Sequence, residues 1–189
     1  MTPTDPLTFA TAEDLDHWFD LNGASATQLW VRLYKVATGI PSVTWEDCIR
    51  AALRVGWIDG IRKSEGADSY ILRLTPRKPR SVWSQRNRDW AETLIAEGRM
   101  TAAGLAQVEA ARADGRWDAA YAGSKTMEIP ADFLAELAKH PKAQAQYQTL
   151  NRQNLYAIYY RVTSAKTDKT RAARIARLIK TLNDGGKFH

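Results

Sequence analysis

One carboxylate and a few cations stand among apolar neighbours, and they decide what chemistry this chain could do. Asp59, in "GWIDGI", alternates with Trp57 and Ile61, so it shares a strand face with two large apolar residues. A carboxyl placed there is either the partner of a cation such as Arg171 or Arg73, or an acid, base or ligand-orienting group in a cleft. Near the end of the chain, the helical stripe Leu155, Ile158, Tyr159 and Val162 leads, four residues on, to Lys166. The stripe Ile175, Leu178, Ile179 and Leu182 leads back to Arg171, with Arg174 on its edge. Two cations across a short turn are therefore expected on the core side of consecutive helices. Arg171 also falls in the first turn of its helix, where unpaired N–H groups and the positive dipole end favour an anion. A cation at that place implies a negative group beside it, either an internal carboxylate or a bound phosphate-like anion.

The second constellation is "TPRKPRSVWSQRNRDW", residues 75–90. Pro76 and Pro79 are expected to hold Arg77, Lys78 and Arg80 in a stiff, extended loop. Trp83, Asn87, Trp90 and Leu94 then fall on one face of a helix whose N-cap is expected at Ser81. Basic groups beside an aromatic ring at a helix start can hold a phosphate and stack its base. The alternative is that Trp83 and Trp90 anchor the core and the cations are solvated. Residues 62–88 hold 8 Lys and Arg against 2 Asp and Glu, and residues 161–189 hold the same 8 against 2. The rest holds 11 against 17, so the net charge of +6 is segregated into two stretches that could steer acidic ligands or nucleic acid.

Other chemistries find no support. His17, His140 and His189 have no metal-ligand spacing with one another or with Cys48, and neither a metal nor a cofactor is expected. No G-x-S-x-G, phosphate-loop or dinucleotide-binding pattern occurs. Cys48 lies on an apolar helix side and reads as a small core residue. With one cysteine, no membrane-length apolar run and no basic-then-apolar leader in "MTPTDPLTFATAEDLDHW", the expectation is a cytoplasmic chain without membrane insertion.

The elements that must position these residues alternate first and are helical later. "LTFA" (7–10), "QLWVRLYK" (28–35), "WIDGI" (57–61) and "SYILRL" (69–74) read as strands. "TAEDLDHWFDL" (11–21) and "TWEDCIRAALRVG" (44–56) read as capped helices. Helices are predicted from Ser81 or Val82 to Glu97, from Thr101 to Arg112, from Pro130 to Lys139, from Pro141, over 151–166 and over 168–186. The tail "GKFH" is expected to fray. The fold class is α+β: a small antiparallel sheet with two helices in the N-terminal third, followed by a helical C-terminal half. The layout is a sheet layer over 1–80 and a helical region over 81–189 packed on it, expected to form one compact unit.

The segments "LYKVATGIPSVTWEDCIRAALRVGWIDGIRK", "YILRLTPRKPRSVWSQRN", "LIAEGRMTAAGLAQVEAARADGRWDAAY" and "AKTDKTRAARI" resemble the YdeI/OmpD-associated family, also called bacteriocin-protection proteins. The resemblance runs from about residue 28 to 182. It implies a link to bacteriocin protection and envelope stress but carries over no catalytic residue. Its blocks contain Asp59; Arg77, Lys78, Arg80, Ser81 and Trp83; and Lys166, Thr170, Arg171 and Arg174.

The expected function is binding of an anionic, phosphate-bearing ligand or nucleic acid. Arg77, Lys78 and Arg80 would hold phosphate, Trp83 would stack with Asn87 on the same face, and Lys166, Arg171 and Arg174 would close the site. Two alternatives stay open: an enzyme acting on a small anionic substrate with Asp59 as acid or base, and an adaptor whose basic face meets an acidic protein partner.

Overall fold

The structure is a computed structural model that describes residues 5–188. Residues 1–4, part of the segment read as lacking a leader, and His189 lie outside the described residues. The chain forms two compact units, Met1–Ala120 and Tyr121–His189.

The first unit contains helix α1 (Ala12–Asn22), strand β1 (Leu29–Tyr34), helix α2 (Trp45–Arg54), strands β2 (Trp57–Glu65) and β3 (Ser69–Pro76), and helices α3 (Gln85–Ala96) and α4 (Ala102–Ala113). The sheet is antiparallel in the order β1-β3-β2, the small sheet that strand alternation predicts. Thr11–Asp14 and Thr44–Asp47 form capping boxes at the starts of α1 and α2, each hydroxyl accepting from the backbone three residues on. Leu29, Val31 and Leu33 pair with Leu74, Leu72 and Tyr70, and this face meets Leu15, Phe19, Ile49 and Leu53 in one buried cluster. Leu94 and Val108 of α3 and α4 join the same cluster, so the helices that directly follow the sheet share its core.

Three expectations change in this unit. "LTFA" contributes one parallel bridge, Leu7 to Val31, rather than a strand: two residues on, the Phe9 carbonyl accepts from the Val43 amide at 3.0 Å instead of from β1. β2 is longer than predicted and carries a bulge: Gly60 and Ile61 together oppose Arg73. The bulge breaks the alternation after Asp59, so Ile61 turns outward while Asp59 stays on the face of Trp57. The third change is at α3, whose N-cap is Ser84 and not Ser81. The Ser81 hydroxyl instead accepts from the Lys78 amide at 3.0 Å and the Ser81 amide donates to the Lys78 carbonyl at 2.9 Å. Residues 78–81 are therefore a closed turn, not an extended loop.

The second unit contains helices α5 (Ala131–Leu137), α6 (Pro141–Gln148), α7 (Arg152–Thr163) and α8 (Asp168–Asn183). Phe133, Leu137, Ile158, Val162, Ile175, Leu178, Ile179 and Leu182 form its core. α7 stops at Thr163, three residues short of the predicted end. The tail does not fray over its described part: Phe188 packs against the core, and its amide donates to Asn154 Oδ1 at 2.6 Å.

Candidate functional site

In the first unit the basic loop turns inward. Arg77 is buried at 6 % exposure, its guanidinium lies 3.6 Å from the centroid of the Trp83 ring, and Nη1 donates to the Val82 carbonyl at 3.3 Å. Trp83 is itself 2 % exposed, and Trp117 packs edge-on at 4.8 Å. The stacking partner predicted for Trp83 is thus an arginine of its own chain, which corrects the role of both residues. Asn87 is buried in α3, so it offers no ligand contact at the surface. Lys78 and Arg80 are exposed on the turn. Asp59 is half-buried, and burial pushes its carboxyl up from the ordinary range, opposed by the nearby charges of Arg77 and Arg86. Arg86, on the exposed face of α3, lies over the rings of Trp45 at 5.2 Å and Trp90 at 5.8 Å.

In the second unit the three predicted cations part company. Arg171 makes a two-pronged ion pair with Asp132 of α5, through Nε at 2.6 Å and Nη2 at 2.8 Å, and its Nη1 donates to the Val162 carbonyl at 3.1 Å. The negative group implied by a cation at that helix start is this carboxylate. The cleft of about 450 Å³ around it is lined by Asp132, Glu136 and Asp168 with Arg171 as its one cation. That surface disfavours an anion. Lys166 is exposed in the turn between α7 and α8; because α7 ends at Thr163, the helical step from Val162 to Lys166 does not exist. The inward position expected for Lys166 is thereby corrected.

Arg174 lies in a different place. Its Nη1 donates to the Arg161 carbonyl at 2.7 Å and to the Ser164 hydroxyl at 3.0 Å, which closes the C-terminal end of α7. Beside it opens a cleft of about 540 Å³ lined by Arg161, Arg174, Arg177 and Lys187, with Tyr160 and Phe188 as aromatic walls. No carboxylate lines this cleft. None of the four cations forms an ion pair among the described residues. The Arg161 guanidinium lies 5.1 Å from the Phe188 centroid, so the tail and α7 brace each other.

Periodicity alone marks Arg174 and Arg177 as neighbours three apart on α8. Nothing local marks Arg161 or the tail residues Lys187 and Phe188, which join them only through the antiparallel return of α8 along α7. The charge follows the same division. Residues 121–189 hold 12 Lys and Arg against 5 Asp and Glu, or +7, while residues 1–120 hold 15 against 16, or −1.

Among the described residues no cluster of His, Cys, Asp and Glu is placed to hold a metal ion, and no helix is long and apolar enough to cross a membrane. The site surfaces thus define an α+β protein with a strongly basic helical C-terminal unit. The chain belongs to the family described as Domain of unknown function (DUF8412), whose model matches residues 7–107, more than half of its length. A second family, Bacteriocin-protection, YdeI or OmpD-Associated, matches residues 126–185, which are helices α5–α8 and the cleft between α7 and α8. The resemblance read from the sequence is therefore shown in the C-terminal unit. No curated protein and no solved structure matches the chain.

Proposed function

We propose that the protein binds an anionic, phosphate-bearing ligand, as a free molecule or within a nucleic acid, in the cleft between α7 and α8. The observation that carries this is the lining: four cations, no carboxylate, and no competing ion pair among the described residues. Like charges gathered at one surface repel one another, and a bound anion relieves that repulsion. Arg174 is held by its bonds to Arg161 and Ser164, so part of the ordering cost of binding is met before the ligand arrives. The family link to bacteriocin protection gives the biological setting, and the reading places the protein in the cytoplasm, where phosphate-bearing metabolites and nucleic acids are abundant.

Calorimetric titration with pyrophosphate at low and moderate salt tests this. Arg177 makes no side-chain hydrogen bond or ion pair among the described residues, so Arg177→Glu reverses a charge in the cleft without breaking either kind of bond. The expected result is binding that weakens with salt and falls at least about tenfold in Arg177→Glu, since a charge-assisted hydrogen bond contributes roughly 1.5–3 kcal/mol. No heat in the wild type, or equal affinity in the variant, would defeat the proposal.

A second reading has one observation in its favour. Asp59 is a half-buried carboxyl pushed up by burial on the core side of β2, as an acid or base in an enzyme would be. If it serves there, its carboxyl titration, followed by NMR, moves when a small anionic substrate analogue is added. A midpoint indifferent to every anion tested leaves Asp59 a structural residue.

A further inference from the structure

The cationic lining selects phosphate but does not say what carries it. The rest of the lining does. Tyr160 is 37 % exposed, and its ring is fixed by an edge-on contact with Tyr121 at 5.3 Å and a tilted contact with Tyr156 at 6.3 Å. It is a rigid, partly open platform on the cleft wall. In the same lining, the Arg161 guanidinium and the Phe188 ring form a second cation–ring pair at 5.1 Å. Both surfaces suit a flat ring system, by stacking and by guanidinium–ring contact.

The polar side chains argue against a sugar phosphate without a base. Sugar hydroxyls are held by free carboxylate, amide or hydroxyl groups. The cleft has no carboxylate or amide side chain, and two of its three hydroxyls are engaged: Ser164 accepts from Arg174 and Thr181 donates to the Arg177 carbonyl at 3.0 Å, which leaves the Tyr160 phenol. A volume of about 540 Å³ lies within the roughly 300–1,000 Å³ of small-ligand clefts and accommodates one base, one ribose and a short phosphate chain.

We infer that the ligand is a nucleoside phosphate whose base lies on the Tyr160 ring and whose phosphates lie among Arg174, Arg177 and Lys187. This rests on the anion reading above. It deepens that reading by assigning the aromatic wall the recognition of a base.

The test compares ADP, pyrophosphate and ribose 5-phosphate by calorimetry on the full chain, in the wild type, Tyr160→Ala and Tyr160→Phe. The expected order is ADP tighter than either baseless probe by roughly tenfold, the scale of one base stacked on one aromatic ring. Tyr160→Ala brings ADP down to the level of pyrophosphate, and a circular-dichroism melt that matches the wild type shows that the variant is folded. Tyr160→Phe keeps the difference. A uridine hexamer separates the two sources of the same chemistry: binding tighter than ADP assigns the nucleotide to a strand, and weaker binding assigns it to a free molecule. If pyrophosphate binds as tightly as ADP in the wild type, or if Tyr160→Ala leaves the ADP advantage intact, the base inference falls while the anion site stands. If none of the probes binds, both fall.

Discussion

Arg171 shows how one residue can look like a ligand site and be a structural tie. Its pair with Asp132 holds that carboxyl below the usual carboxylate range, and the bond from Arg171 itself is the first cause. A carboxyl depressed in the folded state contributes stability above its unfolded value, and this is lost as pH falls through the folded value. Asp132→Asn is therefore expected to cost about 0.5–1 kcal/mol near pH 7, a modest figure because both groups are partly solvated, with the difference shrinking below about pH 4. Chemical denaturation at the two pH values checks it. Asp59 behaves in the opposite sense. Its carboxyl is raised by burial, so the folded state prefers it protonated, and the stability it contributes at low pH is lost as pH rises through the folded value. Asp59→Asn is expected to hold or raise the melting temperature at pH 7 relative to the wild type, and to lose that advantage below about pH 4. Burial also pushes the Cys48 thiol up to about 12, so iodoacetamide at pH 8 should leave the folded protein unmodified and react once it is denatured. At this scale the alternation in "GWIDGI" put Asp59 beside Trp57 and the core-anchor alternative held for Trp83, but Arg77, expected on an extended solvated loop, is buried against that ring. Their stacking depends on a turn at 78–81, closed by Ser81, that proline spacing does not announce.

Elements were legible wherever a local cap sets their limits. Thr11–Asp14 and Thr44–Asp47 are visible as letters three apart, and both helices start where those letters say. The start of α3 and the end of α7 were misread because apolar periodicity extends beyond the stretch where the backbone is helical. That is why Lys166 appeared on a stripe it does not share. The bulge in β2 was equally hidden, since Gly60 permits it but does not demand it. One close approach between elements makes a sharp expectation. A Cβ at Gly104 would lie 2.3 Å from the Arg54 carbonyl oxygen, where the start of α4 docks on the end of α2 and Thr101 donates to that same carbonyl at 2.9 Å. Gly104→Ala is expected to destabilise the first unit by roughly 1–3 kcal/mol, read as a lower denaturation midpoint, although alanine is the better helix former.

For the whole molecule, the informative quantity is where the charge lies rather than its sum. The second unit carries +7 and the first −1, so the overall +6 is the property of 69 residues. All seven tryptophans lie between residues 18 and 117, in the unit without that charge. Tryptophan emission therefore has no reporter inside the α7–α8 cleft, and a method that reads the backbone is needed. The most direct measurement is the map of amide chemical-shift changes on adding pyrophosphate to the full chain. Binding in the cleft predicts changes concentrated at residues 160–164, 174–181 and 187–188, growing as salt is lowered, with residues 77–88 unmoved. Changes centred on 77–88, or spread evenly over exposed lysines and arginines of both units, would contradict a built anion site between α7 and α8.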